Sequence, residues 1–296
     1  MKKVILDTDI GCDIDDALCL TYLLEKKDCD LVGITVVSGQ TQLRAELASA
    51  VCVQKNRNIP IYKGAEMPLM SGKKAEFPQQ AEHLTDWPHQ TTFSSLHENV
   101  VNFMREMIYS YPGQITILAI GPLTNVALLF ATYPECAKML AGLYIMGGKF
   151  IGQPQLEWNF KYDPHAVQIV YSASVPNILT AGLDVTLSFC MTKEKYRNRF
   201  AGRQPYLSQL ANDWYQDFGT PIYFHDPLAM TMMFDSEICD LKRGTVSMLS
   251  ATEKVVTPYA CFTEAEDGSH CICSQVDQEK FCRDFFGTLD IEDQNL

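Results

Sequence analysis

The sequence has no apolar run approaching the roughly 20 residues needed to cross a bilayer, and it has no basic excess. Its 24 Lys and Arg stand against 36 Asp and Glu, a formal charge of -12, whereas a nucleic-acid binder normally carries a basic footprint. These absences point away from membrane and nucleic acid as partners. They leave a small molecule, or a cation held by local carboxylates. Two lysines and a short apolar stretch open the chain, but Asp7 and Asp9 end that stretch too early for a secretory signal. No repeat, low-complexity tract or Pro/Gly/Ser-rich linker divides the 296 residues, so residues 1–296 read as a single domain. Cysteine is plentiful, at 11, yet no second Cys pair or His pair completes a zinc pattern with Cys271 and Cys273. The cysteines are odd in number and mostly set in apolar stretches, as with Cys52, Cys136 and Cys190. That usage predicts buried or half-buried free thiols in a reducing cytoplasm.

What is present is a hydrophobic content of 47% with 20% charged residues, the balance of a globular protein with a substantial core. Short β-branched runs at 4–6, 31–37, 115–120, 142–146 and 177–181 alternate with helical patterns at 17–25, 42–55, 96–109 and 122–130. This alternation predicts an α/β fold with an open, mainly parallel sheet flanked by helices. In such sheets ligands sit beyond the carboxyl ends of the strands, and the unusual polar clusters here all follow apolar runs. Residues 73–93 have little periodicity and read as a long loop with short helices at most. Residues 190–225 read as a polar and aromatic helical excursion. Either segment is a candidate lid or a surface decoration.

Five Asp residues lie within ten positions of the first strand: Asp7, Asp9, Asp13, Asp15 and Asp16. Such crowding is costly without a positive group among the carboxylates, because like charges raise each other's pKa. Hard oxygen ligands point to calcium or magnesium rather than zinc, and a helix starting near Asp15 favours negative charge there. A second cluster, Gly121-Pro122-Leu123-Thr124-Asn125, ends the run 115–120, with Pro122 suited to a first helical turn. Taken alone it is as well explained by an ordinary capped turn. Met146-Gly147-Gly148 marks a turn or a close backbone approach. Glu157-Trp158-Asn159 before Asp163-Pro164 suits a sugar-and-base pocket, or a loop around a buried Trp. His225-Asp226-Pro227 can supply an acid and a metal ligand together, or a structural histidine. His83 and His89 could reach a pocket from the long loop, while His97, His165 and His270 have no comparable partner in sequence.

These motifs in this order, DTDIG with DDA, GPLTN, MGG, EWN with DP and HDPLA, resemble the inosine/uridine-type nucleoside hydrolases from residue 3 to about 230, with a weaker fit at 244–246 and 276–281. The resemblance implies the nucleoside hydrolase fold with its Rossmann-like core, tightly bound calcium and an N-ribohydrolase reaction. By position, Asp9 resembles the calcium ligand that also acts as general base. Asp16, the backbone carbonyl of Thr124 and Asp226 resemble the other metal ligands. Asp15 looks like the ribose-hydroxyl ligand, with Met146, Glu157 and Asn159 completing the sugar pocket and Trp158 beside the nucleobase. Gln40 stands where an asparagine often contacts ribose. His225 matches a histidine that contacts the leaving base and serves as acid, and Asp7 supports the ligands from behind. A homodimer or homotetramer and a role in nucleoside salvage are also implied.

The chain departs from the common pattern in four places. Its first loop is two residues longer than DTDPGxDD, which leaves Asp13 without a role. Gln40 replaces asparagine, residues 153–156 lack an Asn-Thr pattern, and the loop around His83 lacks HG-x-DG-L. The expected chemistry passes through an oxocarbenium-like sugar. Calcium would hold the ribose hydroxyls and a water together, and Asp9 would take that water's proton. Two alternatives remain at this point. A haloacid-dehalogenase-type phosphatase also begins with D-x-D after a strand, although it wants Thr or Val where Gly11 stands and lacks HDPLA. A nucleoside-binding protein on the same fold would bind without turnover.

Overall fold

Parallel strands covered on both faces read as continuous apolar runs, and the first strand does so. β1 (Lys2–Thr8) is buried at each of residues 4–8. Its side chains divide between two cores, Val4 and Leu6 on one face and Ile5 on the other, as the two-residue strand period requires. The computed structural model describes residues 1–70, 75, 77–93, 100–200, 202–250 and 252–291.

β1 is followed by α1 (Asp15–Glu25), β2 (Cys29–Val36), α2 (Thr41–Gln54) and β3 (Ile61–Lys63). Then come α3 (Val100–Ser110), β4 (Ile115–Ala119), α4 (Thr124–Thr132), α5 (Glu135–Lys138) and β5 (Gly142–Met146). The chain continues through α6 (Trp158–Tyr162), α7 (Pro164–Ser172), β6 (Ile178–Ala181) and α8 (Leu183–Thr186). A peripheral ribbon, β7 (Cys190–Met191) with β8 (Ile222–Tyr223), brackets α9 (Lys193–Phe200) and α10 (Pro205–Asp217). α11 (His225–Phe234), β9 (Cys239–Leu249), β10 (Val256–Glu264), β11 (His270–Val276) and α12 (Gln278–Thr288) complete the order.

Nine strands form one sheet in the order β10-β9-β11-β6-β5-β4-β1-β2-β3. The six pairings from β11 through β6, β5, β4, β1 and β2 to β3 are parallel. The pairings of β9 with β10 and β11 are antiparallel. One core packs α1, α2, α10, α11 and α12 on one face, and the other packs α3, α4, α5 and α7 on the opposite face. The sheet is therefore mainly parallel and flanked by helices, as the sequence predicts. Among the described residues no helix is long and apolar enough to cross a membrane.

Several local expectations change. α4 begins at Thr124 with Leu123 as its cap, so Pro122 precedes the helix rather than opening it. Among the described residues the long loop carries one 3-10 segment, Gln79–Thr85, consistent with the loop with short helices expected there, and the start of the helical pattern at 96–109, with His97, lies outside the described residues. Seven cysteines are buried and Cys271 is half-buried, but Cys190 is exposed, as are Cys12 and Cys261. Cys190 opens the two-residue strand β7, where Met191 takes the buried position and Cys190 the exposed one.

Candidate active site

The carboxyl ends of the central strands open onto a cavity of about 400 Å³ whose wall includes Asp9, Asp13, Asp15, Asp16, Met146, Glu157, Trp158, Asn159, His225 and Asp226. The longer first loop is pinned from below by Ile10 and Ile14, which are buried in the core. It turns through Gly11 at φ 136, a backbone angle that L side chains rarely adopt, and a Cβ there would lie 2.5 Å from Pro78 Cβ. Gly121 serves a similar end in the second motif, where a Cβ would lie 3.0 Å from Asp9 Oδ1.

α1 starts at Asp15, so Asp15 and Asp16 occupy its first turn, and Asp226 occupies the first turn of α11. Both helix ends favour negative charge. Asp16 accepts from the Thr8 hydroxyl, and Asp15 accepts from the Asp226 backbone N–H at 3.4 Å. One oxygen from each of Asp15, Asp16 and Asp226 lies within 4.8 Å of the others, and all three residues are buried. Burial pushes each of their pKa values well above the carboxylate range, and mutual repulsion pushes further. Burial also raises Asp9, opposed first by the Arg44 charge. Asp13, half-buried, accepts from the Ile14 N–H at 2.6 Å, and its burial raises it to about 6. It thus joins the wall and ties the added loop to the start of α1.

A set of hard, buried oxygens that cannot all ionise without a cation fits a hard divalent metal. Thr124 does not line the cavity. Its hydroxyl donates to Asp163 Oδ2 at 2.8 Å, which leaves the carbonyl as the group it can offer a ligand. Asp7 is fully buried behind Asp9. Its Oδ1 accepts from Thr35 at 2.5 Å and Asn125 at 2.7 Å, its Oδ2 has no partner, and burial raises its pKa to about 7.

The sugar-pocket residues are held by backbone. Glu157 caps α6, accepting from Asn159, Phe160 and Gly148 N–H groups at 2.8, 2.9 and 2.9 Å. Asn159 donates to the Ile120 and Met146 carbonyls at 2.9 and 3.2 Å, which turns its oxygen to further partners. Trp158 is 53% exposed at the rim, and its side chain is among the groups that hold the Asp9 pKa down against burial. Gln40 is separate from this group: it stands at the start of α2, half-buried, away from the cavity wall. His225 stacks on Tyr223 with ring centroids 5.4 Å apart. Its Nδ1 meets Thr186 Oγ1 at 2.7 Å, and burial lowers its pKa to about 4.

His83 does not line this cavity. It meets Asp213 at 2.5 Å and Gln209 at 2.9 Å, on the wall of an adjoining hollow of about 270 Å³. The Nδ1 of His89 is bound to the Trp87 carbonyl at 2.7 Å.

Sequence reasoning passed over Arg44, Thr186, and Trp214 and Phe218 of the wall. Arg44 is 1% exposed. It donates to the carbonyls of Asp9, of Ile10 at 2.9 Å and of Ser38 at 2.7 Å. An arginine among the small residues of Leu43–Ala50, following a strand, was the available signal. For Thr186 the signal was its place just after the run 177–181.

Comparison with known proteins identifies the family. The family described as inosine-uridine preferring nucleoside hydrolase matches residues 4–283. A probable uridine nucleosidase 1 of Oryza sativa subsp. japonica is 28% identical over 262 residues, covering 82% of this chain and 80% of its own. A pyrimidine-specific ribonucleoside hydrolase of Escherichia coli is 30% identical over 192 residues, 62% of this chain and 60% of its own. In fold, the chain is similar to a purine-preferring ribonucleoside hydrolase from Gardnerella vaginalis, with a TM-score of 0.84 at 20% identity over 97% of this chain and 98% of that one. With the acidic cavity at the strand ends and a match along nearly its whole length, the chain belongs to the inosine-uridine preferring nucleoside hydrolase family and is a hydrolytic enzyme.

Proposed function

We propose that the protein hydrolyses the N-glycosidic bond of ribonucleosides to ribose and free nucleobase, with calcium as its metal. The observation that carries this reading is the wall charge: six carboxylates, Asp9, Asp13, Asp15, Asp16, Glu157 and Asp226, face one guanidinium, Arg44. Asp16 and Asp226, whose oxygens lie within 4.8 Å of each other and of an Asp15 oxygen, would hold the cation together with Asp9 and the Thr124 carbonyl, with Asp15 beside it for the ribose hydroxyls. When bound, calcium supplies positive charge among the carboxylates and a Lewis acid for oxygen ligands.

The chain's own groups then divide the work. Asp9 takes a proton from the attacking water, whose oxygen bonds to the anomeric carbon. The C–N bond breaks with its electron pair passing to the base, and His225 offers that base a hydrogen bond. Asp15, Glu157 and Asn159 orient the sugar hydroxyls, and nearby carboxylates stabilise the developing oxocarbenium charge. Trp158 and Met146 close the pocket around sugar and base. Gln40 would contact ribose from its place at the start of α2. A homodimer or homotetramer working in cytoplasmic nucleoside salvage completes the reading.

The test is release of free ribose from inosine, uridine, cytidine and adenosine, with a chelator-stripped sample restored by calcium. Calcium-dependent release supports the assignment, and relative rates define the base preference. No release from any of the four by calcium-loaded protein overturns it in favour of binding without turnover.

A further inference from the structure

α8 is a single turn directly after β6, and its residues reach the site in different ways. Leu183 lines the cavity. Asp184 accepts from the Phe150 and Ile151 N–H groups at 2.8 Å each and pairs with Lys149, which fastens the segment before Glu157. Thr186, with no exposed surface, meets His225 Nδ1 at 2.7 Å. Among the described residues His225 Nε2 has no hydrogen-bond partner, and the ring lines the cavity.

Counting hydrogens decides the direction of the Thr186–His225 bond. A threonine hydroxyl has one hydrogen and two lone pairs, and each neutral imidazole nitrogen is either donor or acceptor. If Nδ1 donated to Thr186, the hydroxyl hydrogen would need an acceptor elsewhere. Among the described residues Oγ1 has no other partner, and it is shut off from water. A buried donor without an acceptor carries its full desolvation cost. If the hydroxyl donates to Nδ1, nothing is left over, and the ring hydrogen falls on Nε2.

We propose that Thr186 is a positioning residue that donates to His225 Nδ1 and thereby holds the ring with its Nε2–H aimed at the departing nucleobase. The inference rests on the role given to His225 above. In this arrangement the ring donates a hydrogen bond and keeps its proton. The electron pair of the broken C–N bond stays on the base, and the base takes its proton from water after departure.

The test compares a nucleoside with a nitrophenyl riboside, whose phenolate leaves without such help. Thr186→Val is expected to lose about 100-fold in kcat on the nucleoside, with KM and nitrophenyl riboside turnover held within about threefold. Thr186→Ser, which keeps the hydroxyl, is expected to restore nucleoside turnover. Nitrogen-15 NMR of the His225 ring should show hydrogen on Nε2 in the wild type. Hydrogen on Nδ1, equal losses on both substrates, or full nucleoside turnover in Thr186→Val would each overturn the proposal. His225→Ala separates the two levels. If it spares the nucleoside, the His225 reading itself fails. If it selectively loses the nucleoside while Thr186→Val does not, only the Thr186 inference fails. Should Thr186→Val not fold, the wild-type spectrum and the serine variant decide.

Discussion

The two ends of the sheet handle charge in opposite ways. α1 runs back along the strands, so its last residues come to the amino ends, where Lys3 pairs with Asp30 at 2.6 Å and Lys26 with Asp284 at 2.5 Å. The hollow there is the larger, about 590 Å³, and its wall balances Lys26, Lys27, Lys280 and Arg283 against Glu25, Asp28, Asp235 and Asp284. At the carboxyl ends the hollow is about 400 Å³, with six carboxylates to one guanidinium. Size does not distinguish the working end. Uncompensated charge does: of these two hollows, the carboxyl-end one gathers acids without matching bases.

The largest expected effect follows from taking one carboxylate away from the working end. Asp9→Asn should fold and keep part of its nucleoside binding, yet lose about 100- to 10,000-fold in kcat, the usual worth of a positioned base. Ribose release under single-turnover conditions measures it. Near-normal turnover would remove Asp9 as the base and the main support for the contrast.

Arg44→Met breaks the contrast from the other side. The variant leaves the carbonyls of Ser38, Asp9 and Ile10 without their donor. A loss of about 2–4 kcal/mol is expected from several charge-assisted hydrogen bonds removed together. Urea unfolding of metal-free protein reads the loss directly. A change below about 0.5 kcal/mol, the size of an ordinary surface substitution, would mean that Arg44 is a bystander.

Asp226→Asn should do the reverse. In chelator-stripped protein it removes a buried carboxyl whose ionisation the fold resists, because burial and the neighbouring Asp15 and Asp16 raise its pKa, so stability at neutral pH should rise. Calcium should stabilise the wild type by mass action and the variant far less. Thermal scans with and without calcium compare the two, and equal calcium shifts would take Asp226 out of the ligand set.

Much of this end was legible because its residues announce themselves locally. Asp9, Asp15, Asp16, Glu157 and Asp226 all follow strands or begin helices, and the strand–helix alternation placed them at one edge. Partners set by long-range packing were not legible. Arg44 reaches back 35 residues to Asp9, and Thr186 reaches 39 residues to His225; neither pairing leaves a pattern in either segment alone. The antiparallel strands β9 and β10 were missed for a different reason: both are long but mostly exposed or half-buried, so neither shows a sustained apolar run. Gln40 shows the converse: a residue named by motif position alone, which stands at the start of α2 and makes no side-chain capping bond there.

The smallest expected effect lies at the amino end, and it tests whether that end is as self-sufficient as its pairs suggest. Asp284 accepts from the Tyr22 hydroxyl and pairs with Lys26, with the two charged side chains 24% and 15% exposed. Asp284→Asn keeps an acceptor for Tyr22 and removes only the charge, so it should cost about 0.2–1 kcal/mol, the usual worth of a partly exposed ion pair. High salt should shrink that cost, because screening weakens an exposed pair but not a buried one. Turnover should be unchanged, since the substitution lies across the sheet from Asp9. A variant that lost turnover without losing stability would show that the two ends are coupled through α1, and the division of labour drawn from their charges would then be wrong.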